Sequence, residues 1–204
     1  MSNLIFFAHI FVLWLLLDRG NSFSLKKKYI LGILASVLLG LSFYTYLFAF
    51  SLLFAMNGFL WIYFLIKKDF TKLKQLTLII VGALLLGASY ILNMLQVFSS
   101  PYYADLSVRV GQVATTEFIL SRVWFGIVFI YLFFYRKLNS FGVFTITLLL
   151  AFFAVSNVQV IIGRTIPIPE HYYWYYLAPF TGFILMHIGY TYIEKKISSN
   201  YLKY

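Results

Sequence analysis

The chain alternates long apolar stretches with short polar segments that contain most of its lysines. A helix that crosses a membrane needs about 20 mostly apolar residues, because each residue rises about 1.5 Å through a hydrocarbon core of about 30 Å. The pattern therefore predicts an all-α fold, a polytopic transmembrane helix bundle that occupies residues 1–204 as one domain. About seven spans are predicted, at residues 4–17, 29–41, 46–66, 76–95, 118–135, 141–156 and 173–193.

The second and third spans are predicted from one uncharged stretch. Residues Tyr29 to Ile66 include no charged side chain and make up about twice the length of a single span. A glycine and several hydroxyl side chains interrupt the aliphatic residues in the segment GLSFYTY, Gly40 to Tyr46. Because glycine and small polar residues favour turns, we expect two helices that are joined there.

The composition supports a membrane protein. Hydrophobic residues make up 62% of the chain and charged residues only 11%, whereas about 25% of the residues in a soluble domain are charged. A formal net charge of +10 suits a nucleic-acid-binding protein, but here the lysines lie in short runs between apolar segments. Such runs are typical of membrane edges, where they set orientation and attract anionic headgroups. We therefore expect membrane lipids, and no nucleic acid, as partners.

The basic clusters predict the orientation of the spans, because cytoplasmic loops are enriched in lysine and arginine. Seven spans place all four clusters on one side of the membrane, whereas six would place the second cluster opposite the first. We therefore expect the N-terminus outside, the C-terminus in the cytoplasm, and outer loops at residues 96–117 and 157–172. The clusters are Arg19 with Lys26 to Lys28; Lys67, Lys68, Lys72 and Lys74; Arg136 with Lys137; and Lys195, Lys196 and Lys203.

The candidate chemistry lies in the two long outer loops. Ionisable side chains near a bilayer are costly and therefore tend to mark function. In the second loop, Pro167 and Pro169 prevent a helix, and an aromatic run begins at Tyr172. Arginine pairs with phosphate, amide groups bond to hydroxyls, and aromatic faces stack on apolar ligand surfaces. The hypothetical substrate-binding residues, for a lipid phosphate and its sugar, are Arg109, Asn157, Gln159, Arg164, His171 and Tyr172.

A structural explanation of the loop residues stays open beside this one. The aromatic run from Tyr172 to Tyr176 is also typical of the belt that opens a span, and Arg109 and Arg164 are also explained as solvated loop charges. No nucleophile, phosphate-loop or metal-binding motif occurs in the sequence. We therefore assign no catalytic residue, no cofactor and no metal.

Several residues within the spans predict helix packing instead of chemistry. Four polar side chains lie within spans, where we expect hydrogen bonds between helices: His9, Asn57, Asn93 and His187. Gly32, Ser36 and Gly40 are small residues at four-residue spacing, a pattern that lets helix backbones approach closely.

Two segments carry a family resemblance. They are GLSFYTYLFAFSLLFAMNGFLWIYFLIKKDF, Gly40 to Phe70, and NVQVIIGRTIPIPEHYYWYY, Asn157 to Tyr176. Both resemble the later half of bacterial membrane glycosyltransferases of the GT-C type. The resemblance implies a multi-pass protein of a bacterial inner membrane that handles a polyprenyl-phosphate-linked sugar at the outer membrane face.

One feature expected from that family is missing. GT-C enzymes carry an acidic residue in the first outer loop, where a carboxylate acts as base towards the acceptor hydroxyl. The first outward turn here, SFYTY, contains no acid. We therefore interpret the chain as the C-terminal portion of a longer enzyme, as its abrupt apolar start after Met1 also suggests. Two alternatives remain: a lipid or oligosaccharide flippase or transporter, and a non-catalytic membrane subunit of an envelope assembly.

Overall fold

The fold is built from helices. The structure is a computed structural model that describes residues 2–19, 22–45, 47–105, 140–162, 176, 178–182, 186 and 189. No strand occurs in these ranges, which confirms the predicted all-α class. The helices are α1 (Ser2–Arg19), α2 (Leu25–Ser42), α3 (Leu47–Ile66), α4 (Phe70–Leu86), α5 (Ala88–Phe98), α6 (Ser140–Ser156) and α7 (Gln159–Ile162).

Two helices begin at side-chain caps. The Ser24 hydroxyl accepts a hydrogen bond from the Lys27 amide (3.4 Å) at the start of α2. The Asp69 carboxylate accepts one from the Lys72 amide (3.2 Å) at the start of α4. Such caps satisfy amide groups that the first turn of a helix leaves without a partner. Lys26 to Lys28 therefore lie in the first turn of α2, and Lys72 and Lys74 lie near the beginning of α4.

The turn between α3 and α4 is short. Lys68 has a φ of 56°, in the left-handed region. The Asp69 amide donates to the Phe64 carbonyl (3.0 Å), and the Lys68 amide donates to the Leu65 carbonyl (3.1 Å). These two bonds form the Schellman motif that commonly ends a helix. The motif reverses the chain, so that α3 and α4 are antiparallel neighbours.

The helices α2 and α4 lie side by side and run in the same direction. The Ser36 hydroxyl donates to the Ile79 carbonyl (3.2 Å), and one turn further along, a Cβ at Gly40 would lie 2.8 Å from the Leu86 Cβ. The predicted packing role is therefore confirmed at Ser36 and Gly40. Because both helices begin at the same end of the bundle, the first two lysine clusters lie at that end.

Apolar side chains fill the interior and also cover much of the outside. The core is formed where α1 packs on α2, and α3 packs on α4 and α6. Leu13, Leu52 and Phe152 are fully buried there. On the outside, Ile33 of α2 and Leu85 of α4 are 65% and 73% exposed. Large exposed apolar surfaces of this kind mark contact with lipid or with other proteins.

One described helix has the length and hydrophobicity of a membrane span, Phe48–Ile66. The pair α4 and α5 also meets these criteria if it is counted as one bent span, and Asn3–Asp18 and Phe141–Ser156 are apolar but shorter. The described residues therefore contain one or two candidate spans. The predicted span 118–135 and most of 173–193 lie outside the described residues, so the count of seven stays a prediction.

The predicted span 76–95 differs from a single continuous helix. The helix α4 ends at Leu86, Gly87 forms a turn, and α5 continues at an angle of 61° to α4. A Cβ at Gly87 would overlap the ring of Phe43. The glycine therefore lets the α2–α3 turn pack against the bend. Hydropathy gives no sign of this break, because the residues on both sides of Gly87 are apolar.

Candidate functional site

A groove runs between α2 and α4. Its volume is about 830 Å³, within the range of about 300–1,000 Å³ that is typical of small-molecule sites. Apolar side chains such as Ile33 and Val37 of α2 and Leu78 of α4 form most of its lining. Ile33 and Leu78 are also exposed on the bundle surface. The groove therefore opens sideways, towards whatever surrounds the helices.

One end of the groove is polar and basic. Lys28 from the first turn of α2 and Lys74 from the beginning of α4 both line it, together with Thr71 and Gln75. Among the described residues neither lysine forms an ion pair, whereas nearby Lys72 pairs with the Asp69 carboxylate (3.7 Å). Ammonium groups that lack a protein counter-ion can form charge-assisted hydrogen bonds with a phosphate. This end of the groove therefore suits an anionic group.

Two glycines beside the groove have different roles. A Cβ at Gly82 of α4 would overlap the Ser36 hydroxyl, so this glycine allows close packing of the two helices. A Cβ at Gly32 of α2 would have no heavy atom within 4 Å, and Gly32 lines the groove. The predicted packing role is therefore wrong for Gly32, because this residue borders open space.

The groove is longer than one leaflet of a bilayer. Its lining extends from Leu25 to Val37 on α2 and from Phe70 to Leu86 on α4. With a rise of 1.5 Å per residue, these stretches are about 18 and 24 Å long. Half of a hydrocarbon core is about 15 Å thick. A hydrocarbon chain in the groove would thus extend past the middle of a bilayer along α4, with its headgroup at the end that contains the lysines.

A second cavity lies between α1, α3 and α6. It has a volume of about 600 Å³, and its lining includes Phe11, Met56 and Phe144. None of the residues that line it is charged. This cavity therefore offers no charge that would select an ionic ligand, and we do not assign a function to it.

A buried polar contact joins α1, α2 and α3. His9 and Asn57 are both fully buried. The His9 Nδ1 lies 3.0 Å from the Ala35 carbonyl, and the Asn57 Nδ2 lies 3.0 Å from the His9 Nε2. The Asn57 Nδ2 also donates to the Leu53 carbonyl (2.8 Å). The prediction of hydrogen bonds between helices is therefore confirmed for His9 and Asn57. It is wrong for Asn93, whose side chain is exposed on α5, and His187 lies outside the described residues.

Of the predicted substrate-binding side chains, the structure describes that of Asn157. It is 7% exposed, and its Nδ2 donates to the Phe153 carbonyl (3.0 Å) within the same helical segment. Gln159 begins the short helix α7, inside the predicted outer loop. The remaining predicted positions lie outside the described residues: Arg109, Arg164, His171, Tyr172 and the side chain of Gln159. The outer-loop site therefore stays a prediction.

The sequence pattern does not predict the groove. In that pattern Lys28 and Lys74 belong to two clusters that set orientation. Because these lysines are far apart in the sequence, only the parallel packing of α2 and α4 brings them to one cavity. One usable signal was present: Lys28, Gly32 and Ser36 follow each other at four-residue spacing and therefore share a helix face.

Comparison of the chain with known protein families, curated proteins and solved structures found no match. Within the described ranges, no group of three or more His, Asp or Glu side chains is placed to hold a metal ion. The function is therefore argued from the groove and its charges.

Proposed function

We propose that the protein is a multi-pass membrane protein that binds a lipid with an anionic headgroup in the α2–α4 groove. The observation that carries the proposal is an apolar groove with two lysines at one end. The headgroup phosphate binds between Lys28 and Lys74, and the hydrocarbon chain passes Gly32 towards Leu86. Seven spans, an outside N-terminus and a cytoplasmic C-terminus are part of the same proposal.

The distribution of charge supports the membrane part of the proposal. The lysines at the beginnings of α2 and α4 lie at one end of the bundle, whereas Ile33, Leu78 and Leu85 are exposed along its side. Basic residues accumulate on the cytoplasmic side of membrane proteins. The cytoplasmic leaflet of a membrane is also rich in anionic lipids. The basic end of the groove then faces the cytoplasm.

The proposed substrate is a lipid-linked sugar. The resemblance to GT-C glycosyltransferases supports a polyprenyl phosphate as the lipid and the outer membrane face as the place of reaction. By residue type, Arg109 and Arg164 are the proposed phosphate ligands there. A lipid flippase is the second candidate. It is favoured by the position of the groove, because a lipid site at the cytoplasmic end and a phosphate site on the outer face would mark the two ends of a transbilayer path.

Charge variants test the headgroup site. Binding of a polyprenyl phosphate and of phosphatidic acid to the purified protein is measured by native mass spectrometry. Lys28→Gln and Lys74→Gln should each weaken binding about five-fold, because a lysine close to an anionic lipid contributes about 1 kcal/mol. Lys26→Gln is the matched control, since Lys26 lies in the same first turn of α2 and does not line the groove. An equal loss in all three variants contradicts the proposal and indicates non-specific attraction.

A steric variant tests the hydrocarbon part of the site in the same assay. Gly32→Leu places a side chain into open space in the groove, so the fold should persist while lipid binding is lost. Gly58→Leu is the control, because a Cβ at Gly58 also meets no heavy atom within 4 Å but lies on α3, outside the groove. Full binding by Gly32→Leu would exclude the groove as the chain site. Tighter binding of the polyprenyl phosphate than of phosphatidic acid would support a lipid-linked substrate.

A further inference from the structure

The helix α5 contains no buried residue. Near its start, the Tyr90 ring packs against the rings of Phe43 and Phe50, each with a centroid distance of 5.7 Å. Further along, Leu95 and Phe98 are 54% and 50% exposed. In water, an isolated helix of 11 residues is marginal, because most helical stability comes from packing of an apolar face. The exposed apolar side chains of α5 therefore need an apolar environment outside this helix bundle.

The pattern along α5 is amphipathic and uncharged. Ser89, Asn93 and Gln96 follow each other at intervals of four and three residues, so they share one face. Ile91, Leu95 and Phe98 have the same spacing on the opposite face. An apolar face opposite a polar face is the arrangement of helices that lie at a membrane surface.

The bend at Gly87 gives α5 a direction that differs from that of a span. The 17 residues of α4 make a helix about 26 Å long, close to the thickness of a hydrocarbon core of about 30 Å. The helix α4 thus ends near the membrane face opposite its lysines. At 61° to α4, the 11 residues of α5, about 16 Å in length, advance only about 8 Å along the direction of α4.

We infer that α5 is an interfacial helix at the outer face of the membrane, with Leu95 and Phe98 among the lipid chains and Asn93 and Gln96 towards water. Its exposed apolar face is covered by the lipid surface itself. At the end of α4, Leu85 and Leu86 are 73% and 49% exposed as well. Beyond α5, Tyr102 is 71% exposed, and tyrosines are enriched at the level of the headgroups.

Spin labels on single cysteines test this inference, which rests on the proposed membrane location but not on lipid binding in the groove. The chain has no cysteine, so each variant carries one label without removal of any native thiol. The variants Leu95→Cys, Phe98→Cys, Asn93→Cys and Gln96→Cys are placed in vesicles of phosphatidylglycerol and phosphatidylethanolamine. Collision with oxygen, which partitions into lipid, is compared with collision with an aqueous nickel complex.

We expect labels at Leu95→Cys and Phe98→Cys to collide more often with oxygen, and labels at Asn93→Cys and Gln96→Cys to collide more often with the nickel complex. The preference should thus alternate along the chain with the period of a helix. A depth that increases steadily from Asn93 to Phe98, whatever the face, would overturn the inference in favour of a continued span. Labels at Leu95 and Phe98 that neither reagent reaches would overturn it in favour of a protein partner. A label at Ile62→Cys on α3 is the control for the membrane location. If the nickel complex reaches this label, the bundle does not lie in the membrane, and the proposed function fails independently of the position of α5.

Discussion

Single residues determine how a polar contact is held inside the apolar bundle. The Ala35 carbonyl can only accept, so the His9 Nδ1 carries the proton and the Nε2 accepts from the Asn57 amide. Rotation of that amide would bring its oxygen against two acceptors, the Nε2 and the Leu53 carbonyl. The observed orientation is therefore required, although it leaves the buried Asn57 Oδ1 without a hydrogen-bond partner.

A double-mutant cycle measures this contact. His9→Ala, Asn57→Ala and the double variant are compared by the free energy of unfolding in mixed micelles. We expect a coupling free energy of about 0.6 kcal/mol, and at most about 1.7 kcal/mol, the range of hydrogen bonds between membrane helices. Both single variants should also lose stability, because each removes a fully buried side chain. A coupling of zero would show that the two side chains do not interact in the folded protein.

The bend between α4 and α5 depends on contacts from another element. The Phe43 ring stacks on Phe50 with a centroid distance of 4.8 Å and lies 5.0 Å from Phe54. The Tyr44 hydroxyl donates to the Leu86 carbonyl (2.8 Å), which lies at the end of α4. Because the single hydroxyl proton is used in that bond, the Tyr44 oxygen accepts from the Ser89 hydroxyl (2.6 Å). The α2–α3 turn thus holds the start of α5.

Two glycines give opposite expectations for the same substitution. Gly87→Ala should lower the free energy of unfolding by about 1–3 kcal/mol, because the added methyl group overlaps the packed Phe43 ring. Gly58→Ala should raise it by about 0.5–1 kcal/mol, because Gly58 lies inside α3 with open space around it and alanine favours the helix. Thermal unfolding in detergent measures both. In a Phe43→Ala background, Gly87→Ala should cost little free energy of unfolding, because the ring is absent. If Gly87→Ala lowers the free energy of unfolding equally in that background, the Phe43 ring is not the obstacle.

The helices were largely predictable from the sequence, and the bend was not. The segment Gly40 to Tyr46 predicts a break, and α2 ends at Ser42 while α3 begins at Leu47. That prediction follows from local residue preferences and from the length of a span. The bend at Gly87 depends on the Phe43 ring of a distant turn, and no local pattern contains that information.

In the molecule as a whole, the basic residues of α2 and α4 lie at one end of the bundle, and part of this arrangement could be predicted from the sequence. Counting spans predicts that Lys28 and Lys74 share a side of the membrane, and the parallel α2 and α4 bring both to one groove. The shared face of Lys28, Gly32 and Ser36 does not predict the open space of the groove, because that space depends on how far the two helices separate beside Gly32. The predicted outer-loop site lies mainly outside the described residues and stays a prediction.

The orientation of the bundle is tested with thiol reagents that do not cross membranes. Ser22 precedes α2, Lys67 follows α3, and both positions are exposed, as is Tyr102 beyond α5. In intact cells we expect Tyr102→Cys to react, while Ser22→Cys and Lys67→Cys react only after the membrane is opened, because the proposed orientation places the basic ends in the cytoplasm.

The pattern of labelling separates three arrangements of the chain. Reaction of Ser22→Cys and Lys67→Cys from opposite sides would mean that α2 and α3 do not form two crossings, and the predicted positive-inside orientation would then be wrong. Reaction of Tyr102→Cys from the same side as the other two would mean that α4 and α5 enter the membrane and return. In that case the interfacial position of α5 at the outer face would fail, whereas the groove and its two lysines would remain at the cytoplasmic end, because they depend only on the packing of α2 and α4.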